Sequence, residues 1–212
     1  MGVKFTDSGV CVGSSCPRLL SFQEIAVGWK SHSTGDPLTN NVAEFADTFV
    51  RNDMPESQAY LFVRMVCAWG GLGRGNPAKI RNSIFVNGHG EIWLRSLLKT
   101  GREKSIEGKY EEALRAFDQI NGLGISFTSK LLRFLAPDHA AVLDSVIRKS
   151  LGYPNSVAAY REFVTDCVAI REKLKTENKR PDGGDWRTTD IEMGIFMVTP
   201  KHPRGQRVFC HF

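Results

Sequence analysis

An all-α fold is predicted for this chain by three observations. Apolar residues recur at helical spacing, short polar or glycine-bearing breaks separate those stretches, and no stretch alternates convincingly as a strand. At 212 residues and 42% hydrophobic, the chain can bury a sizeable core as one domain or two small lobes. That composition is neither disordered nor fibrous.

The elements follow in order. Ser21, with Glu24 three residues on, has capping-box spacing and predicts a short helix ending near Gly28. Val42, Phe45, Ala46, Phe49 and Val50 make one helical stripe. A third helix, over about 56–69, stops at the glycine-rich run 70–75. Another follows Gly90 and carries Ile92, Leu94, Leu97 and Leu98. The segment 107–120 sets Tyr110, Ala113, Leu114, Phe117 and Ile120 on one face. The run 121–124 breaks it, and a helix over about 126–135 resumes at once, ending before Pro137. An apolar link, 140–143, leads to a helix opened by Asp144. Ser156 caps a long helix reaching toward Lys175; residues 175–185 are a polar, exposed loop. Thr189 and Glu192 again have capping-box spacing and open the last helix.

Charge and cysteines bound the function classes. Lys and Arg number 28 against 23 Asp and Glu, for a net charge of +5. That excess suits a polyanionic partner without requiring one. The five cysteines (Cys11, Cys16, Cys67, Cys167, Cys210) are scattered, odd in number and not spaced for zinc or an iron–sulfur cluster. Free thiols in a reducing compartment are expected. Residues 1–20 lack a leader pattern, and no apolar stretch approaches the ~18 residues of a membrane span. The expectation is a cytoplasmic protein without membrane attachment.

The informative segment runs from Ile120 through Gly122 and Gly124 to Leu132. A helix, a turn with glycines two apart and an immediate second helix make a tight hairpin. One glycine can take a positive backbone dihedral, while the other leaves room for close approach of another backbone. The second helix then presents unpaired amides, which with its dipole bind a phosphate. Asp144 follows Ser126 by 18 residues and heads its own helix after the apolar link.

In this order and spacing, residues 120–151 resemble the helix-hairpin-helix, Gly/Pro-rich loop and aspartate signature (HhH-GPD) of base-excision DNA glycosylases. The chain supplies Ile120-Asn121-Gly122-Leu123-Gly124 and then Val142-Leu143-Asp144-Ser145-Val146-Ile147-Arg148. Within that superfamily it looks like the compact bacterial and archaeal 8-oxoguanine DNA glycosylases. The resemblance implies two small helical lobes with an active-site cleft between them. Along the chain these would be an N-terminal lobe (1–105), the hairpin and aspartate segment (106–155) and C-terminal helices completing the cleft (156–212). It also implies a nucleoid-associated monomer that excises a damaged base, above all 8-oxoguanine, from double-stranded DNA without a cofactor. A monovalent cation held by the main-chain carbonyls of Asp118, Ile120 and Leu123 is a further implication. The chain departs from the signature twice. The usual hairpin proline is Asn121, and the slot of the nucleophilic lysine of bifunctional members is Ser126, as in the adenine-mismatch enzymes.

Asp144 is accordingly expected to be the catalytic carboxylate. Breaking an N-glycosidic bond builds positive charge on the sugar. A carboxylate about 4 Å away is worth roughly 4 kcal/mol at an effective dielectric near 20, about a thousandfold in rate. Aspartate is also a favoured N-cap, and the two roles are compatible. Lys130 stands one helical turn beyond Ser126 and is the candidate Schiff-base nucleophile for an associated AP lyase activity. An unperturbed lysine is only about 0.04% neutral at pH 7, so that role needs burial or a cationic neighbour. The expected DNA contacts are Gly122, Gly124, Ile125, Ser126, Thr128 and Arg148, with Arg74, Arg81 and Lys149 as further phosphate contacts. A flipped base needs aromatic walls and a hydrogen-bonding reader, for which Trp69, Trp186 and Asp190 are the candidates. Core packing and helix-dipole complement are the plainer explanations of those three. The competing function is a non-catalytic helix-hairpin-helix DNA-binding module, which leaves Asp144 unexplained. Among enzymes, a glycosylase of modified phage-DNA bases is the alternative.

Overall fold

A computed structural model describes residues 3–7, 9–14, 18–33, 36–71, 76–86, 90–177 and 180–199. Cys16, Arg74 and Cys210 lie outside the described residues. The fold is mostly helical, with ten helices and one small sheet among the described residues. The chain divides into two compact units: 1–35 with 141–212, and 36–140. These boundaries differ from those drawn along the sequence because the first unit joins the two ends of the chain.

The first unit opens with the element that the sequence reading lacked. Strands β1 (Lys4–Thr6), β2 (Gly9–Val12) and β3 (Arg18–Ser21) form an antiparallel meander in the order β1-β2-β3. Val10, Val12 and Leu20 point inward, and Val10 faces Leu20 across the ladder. Strands of three or four residues give alternation too little length to register, which is why the pattern passed unseen. The Ser21–Glu24 capping box is formed: each backbone amide donates to the other residue's side chain, at 2.7 and 3.0 Å. It opens α1 (Phe22–Ser33), which runs straight through Gly28 instead of ending there.

The reason for that glycine is tertiary. A Cβ at Gly28 would lie 2.7 Å from the carbonyl oxygen of Gly194, and a Cβ at Gly194 would strike the carbonyl of Ile25. Gly194 is in α10 (Thr188–Val198), so two glycines let the backbones of α1 and α10 pack almost in contact. The last helix also starts earlier than its expected Thr189 cap. Arg187 is the N-cap, and Asp190 accepts its amide at 3.0 Å. Between them lie α8 (Ser145–Leu151), closed by the left-handed Gly152 (φ 73°), and α9 (Val157–Glu177). Ser156 caps α9 as expected, accepting the amide of Ala159 at 3.2 Å.

The second unit is all helix: α2 (Pro37–Arg51), α3 (Glu56–Trp69), α4 (Asn76–Phe85), α5 (Gly90–Ile106), α6 (Tyr110–Arg115) and α7 (Ile125–Leu135). Asp36 caps α2, and Pro37 at its first position extends it N-terminally of the expected stripe. Helix α4 was not expected. Its only fully buried apolar residues are Ile80 and Ile84, too few for a stripe. Helix α6 ends at Arg115, short of the expected Ile120, and turns lead into the hairpin. Among the described residues no helix is long and apolar enough to cross a membrane.

Two predictions follow from the first unit. Gly194→Ala forces apart the α1–α10 contact and is expected to cost about 1–3 kcal/mol, read as a lower denaturation midpoint. The second concerns buried Asp166, which accepts the Tyr153 hydroxyl at 2.5 Å. Burial pushes its carboxyl up to about 6, against the lowering effect of that hydrogen bond. The folded state then holds the proton more tightly than the unfolded state, whose ordinary value is 3.8. The contribution of Asp166 to stability therefore falls as pH rises from about 4 to about 6. Asp166→Asn should flatten the Tm profile in that window relative to the unaltered chain; parallel profiles would contradict the assignment.

Candidate active site

The hairpin turn is built as its glycines demand, with one addition. Gly122 takes φ 97°, a conformation side chains avoid. Gly124 is extended (φ −94°, ψ 177°), and a Cβ there would meet nothing within 4 Å. Nothing inside the chain therefore requires a glycine at 124, which is exposed to solvent. The addition comes from α4. Ser83, only 2% exposed, donates its hydroxyl to the Gln119 carbonyl at 3.0 Å and accepts the Asn121 amide at 3.1 Å.

Helix α7 begins at Ile125 with Gly124 as its N-cap, and no side chain caps it. The amides of Phe127 and Thr128 both donate to the Gly124 carbonyl, at 2.9 and 3.0 Å. Those of Gly124, Ile125 and Ser126 have no acceptor among the described residues. The open end of the hairpin is thus 124–126. Thr128, expected as a DNA contact, is buried with its amide engaged, so it stands outside that end. In the turn the Ile120 carbonyl accepts the Leu123 amide at 3.2 Å, while those of Asp118 and Leu123 accept nothing among the described residues.

Lys130 lies one turn deeper along α7 and is buried, with 9% of its surface exposed. Its Nζ donates to the Gly70 carbonyl at 3.1 Å and lies 4.7 Å from the Phe127 ring centre and 5.8 Å from that of Trp69. Arg133 reaches the same Trp69 ring at 4.9 Å. Gly70 is needed here, because a Cβ would come within 2.9 Å of both Lys130 and Phe127. Trp69, half-buried, donates its indole N–H to Thr39 at 2.6 Å and meets Phe134 edge-on. Sequence reasoning named Lys130 and Trp69 but passed over Gly70 and Arg133. The three-residue spacing of Lys130 and Arg133 was the available signal. Cys67, on α3, is pushed up to about 11 by burial, so it is no thiolate at neutral pH.

In the first unit, Asp144 caps α8. Its Oδ1 accepts the amides of Val146 and Ile147 at 2.9 and 3.0 Å. Oδ2 accepts no hydrogen bond among the described residues, and the residue is half-buried. Arg148 is half-buried and Lys149 exposed on the same helix, as Arg81 is exposed on α4. Trp186 and Asp190, expected in the base pocket, are buried within the first unit. Trp186 is 1% exposed and packs edge-on to Trp29, with ring centres 5.8 Å apart. Asp190, 3% exposed, accepts from the Trp29 indole (3.2 Å), from Arg180 (2.8 Å) and from three nitrogens of Arg187. Burial raises its carboxyl, but the Arg187 and Arg180 contacts outweigh it and leave a net lowering. With both oxygens so engaged, Asp190 holds the first unit together, and the 180–187 turn reaches it through Arg180.

This assignment is testable. Asp190→Ala leaves the Arg180 guanidinium without its buried partner and should cost about 2 kcal/mol or more in a denaturant titration. Because the folded-state value is lowered, the contribution of Asp190 is present above about pH 4 and lost on acidification. A substitution that leaves stability unchanged, yet alters which base is accepted, would instead restore Asp190 as a base reader.

A model of the family described as "Putative 8-oxoguanine DNA glycosylase OGG-like protein" matches residues 40–196. No curated protein and no solved structure gives a match. The matched stretch runs from within α2 to within α10 and takes in the hairpin, Lys130 and Asp144. The chain therefore belongs to the 8-oxoguanine DNA glycosylase OGG-like family.

Proposed function

We propose that this protein is a DNA glycosylase that flips an oxidised purine, in the first place 8-oxoguanine, out of duplex DNA and cleaves its N-glycosidic bond. The observation that carries the reading is the state of Asp144 inside the family match. One carboxylate oxygen is fixed by two backbone amides and the other is left to act. A purely structural N-cap needs only the first oxygen. The second is available to stabilise positive charge as the bond to C1′ of the sugar breaks, or to orient the attacking water.

The free amides of 124–126 and the missing side chain at Gly124 support a backbone phosphate gripped by the hairpin. The carbonyls of Asp118, Ile120 and Leu123 would hold a monovalent cation, which supplies positive charge behind that phosphate. Lys130 is our candidate for the amine. It is buried and shares the Trp69 ring with Arg133, and burial or a cationic neighbour is what a nucleophilic lysine needs. Attack of its neutral amine on C1′ would break the bond to the base, which leaves with a proton; opening of the C1′–O4′ bond, with the proton lost from nitrogen passing to O4′, then gives an imine to the sugar, from which strand cleavage by elimination follows. Trp69, beside Lys130, is the aromatic wall we retain.

The test is a panel of duplexes, each carrying one lesion, with borohydride added to reduce any imine. Asp144→Asn keeps the cap, since Asn caps as well as Asp, and should slow base release about a thousandfold. Wild-type rates in that variant would sink the catalytic assignment. Lys130→Ala should abolish the trapped adduct. An adduct that survives it places the nucleophile elsewhere, and base release without any adduct means a water-using enzyme.

A further inference from the structure

The hairpin motif explains the free amides at the start of α7 but not why an unexpected helix, α4, is bonded to its turn. Ser83 spans that turn. Its hydroxyl holds the carbonyl of Gln119 and the amide of Asn121, two residues apart, from 36 and 38 residues away. The contact bears on the departure at Asn121. A proline there would have no amide to give, whereas Asn121 has one and Ser83 accepts it. Conformational restriction that a ring would provide locally is provided here by a tether from another helix.

The same helix brings a cation to the place. Lys79, Asn82 and Ser83 stand at i, i+3 and i+4 and therefore share one stripe of α4. Together with Asn121 and Gly122 they line an open groove of about 510 Å³ between α4 and the turn. The side chains of Lys79, Asn82 and Asn121 make no hydrogen bond or ion pair among the described residues, and Lys79 and Asn82 are exposed. An ammonium and two amide side chains, all without partners, converge on a concave surface beside amides that lack acceptors. That chemistry recognises a phosphodiester: a point charge for its anionic oxygens and N–H donors for their lone pairs.

We propose that this groove is a second phosphate subsite, which takes the phosphodiester next to the one held by the hairpin amides, with Ser83 as the positioning residue that fixes the turn between the two. The inference rests on the reading of the protein as a DNA-binding glycosylase. Lys79 supplies the charge, Asn82 and Asn121 the donors. Helix α4 thereby becomes part of the DNA-binding surface.

Duplex binding is measured over a salt series with the full chain, using DNA that carries a single 8-oxoguanine, and base release is followed on the same duplex. Lys79→Gln should make the slope of log affinity against log salt shallower by about 0.9, the loss of one phosphate contact, and raise KM. Ser83→Ala should weaken binding about five-fold by freeing the turn and leaving the Asn121 amide unpaired. In an Asn121→Pro background, which has already lost one donor, Ser83→Ala should cost nothing further, because proline has no amide to leave unpaired and fixes the turn by itself. A serine that merely stabilises α4 would cost the same in both backgrounds. An unchanged salt slope in Lys79→Gln overturns the subsite, and an equal cost of Ser83→Ala in both backgrounds overturns the positioning role. Failure of the unaltered protein to bind any duplex overturns the DNA reading beneath both.

Discussion

The first amides of an α-helix point forward with no acceptor in their own helix, and this chain answers that constraint in two opposite ways. At α8 the acceptor is Asp144, which takes two amides on one oxygen. At α7 no side chain answers, and the amides of 124–126 face outward beside a glycine with nothing where its Cβ would be. A cap made by a carboxylate fixes a negative charge in space, and an omitted cap leaves a partial positive charge waiting for one. A nucleotide carries what each lacks: a sugar that becomes cationic as its base departs, and a phosphate that is anionic throughout. On the proposed function, the polarity of the peptide unit would supply both halves of the recognition before any base is read.

Buried charge is handled differently in the two units, and the difference separates structure from chemistry. Asp190 is surrounded by full and partial positive charge from Arg180, Arg187 and the Trp29 indole. A carboxylate so matched gains nothing by leaving and has no lone pair to offer a ligand. Lys130 donates to a carbonyl oxygen and lies over aromatic rings, contacts that hold a cation in place.

What the sequence disclosed and what it hid divide along the range of the interactions. The Ser21–Glu24 box, the Ser156 cap and the Asp144 cap are contacts over two or three residues, and each was legible as spacing. The stripe over 56–69 was long enough to declare α3 in full. Gly28 misled because a lone glycine reads as a helix stop, whereas its purpose lies across the fold at Gly194. Helix α4 was invisible for a related reason. One of its buried residues is a serine whose partners stand 36 and 38 positions away, so its inward face does not look apolar. Among the candidate residues, Asp144, Lys130 and the open turn could be named from the chain alone, but Gly70 and Ser83, whose contacts are long-range, could not.

The displacement of the lysine from position 126 to 130 that the proposed function implies has its own physical logic. The two positions share a helical face and lie about 6 Å apart along the axis. At 126 a lysine would stand at the open end, among the free amides, where its ammonium would be hydrated and would compete with them for the same anion. At 130 the amine is drawn under the Gly70 carbonyl, between rings, and 9% exposed. Ser126, small and half-buried, leaves the mouth of the hairpin to the backbone. On the proposed reading, separating the two tasks along α7 would let the helix hold an anion at its first turn and an amine at its second, each in the surroundings it requires.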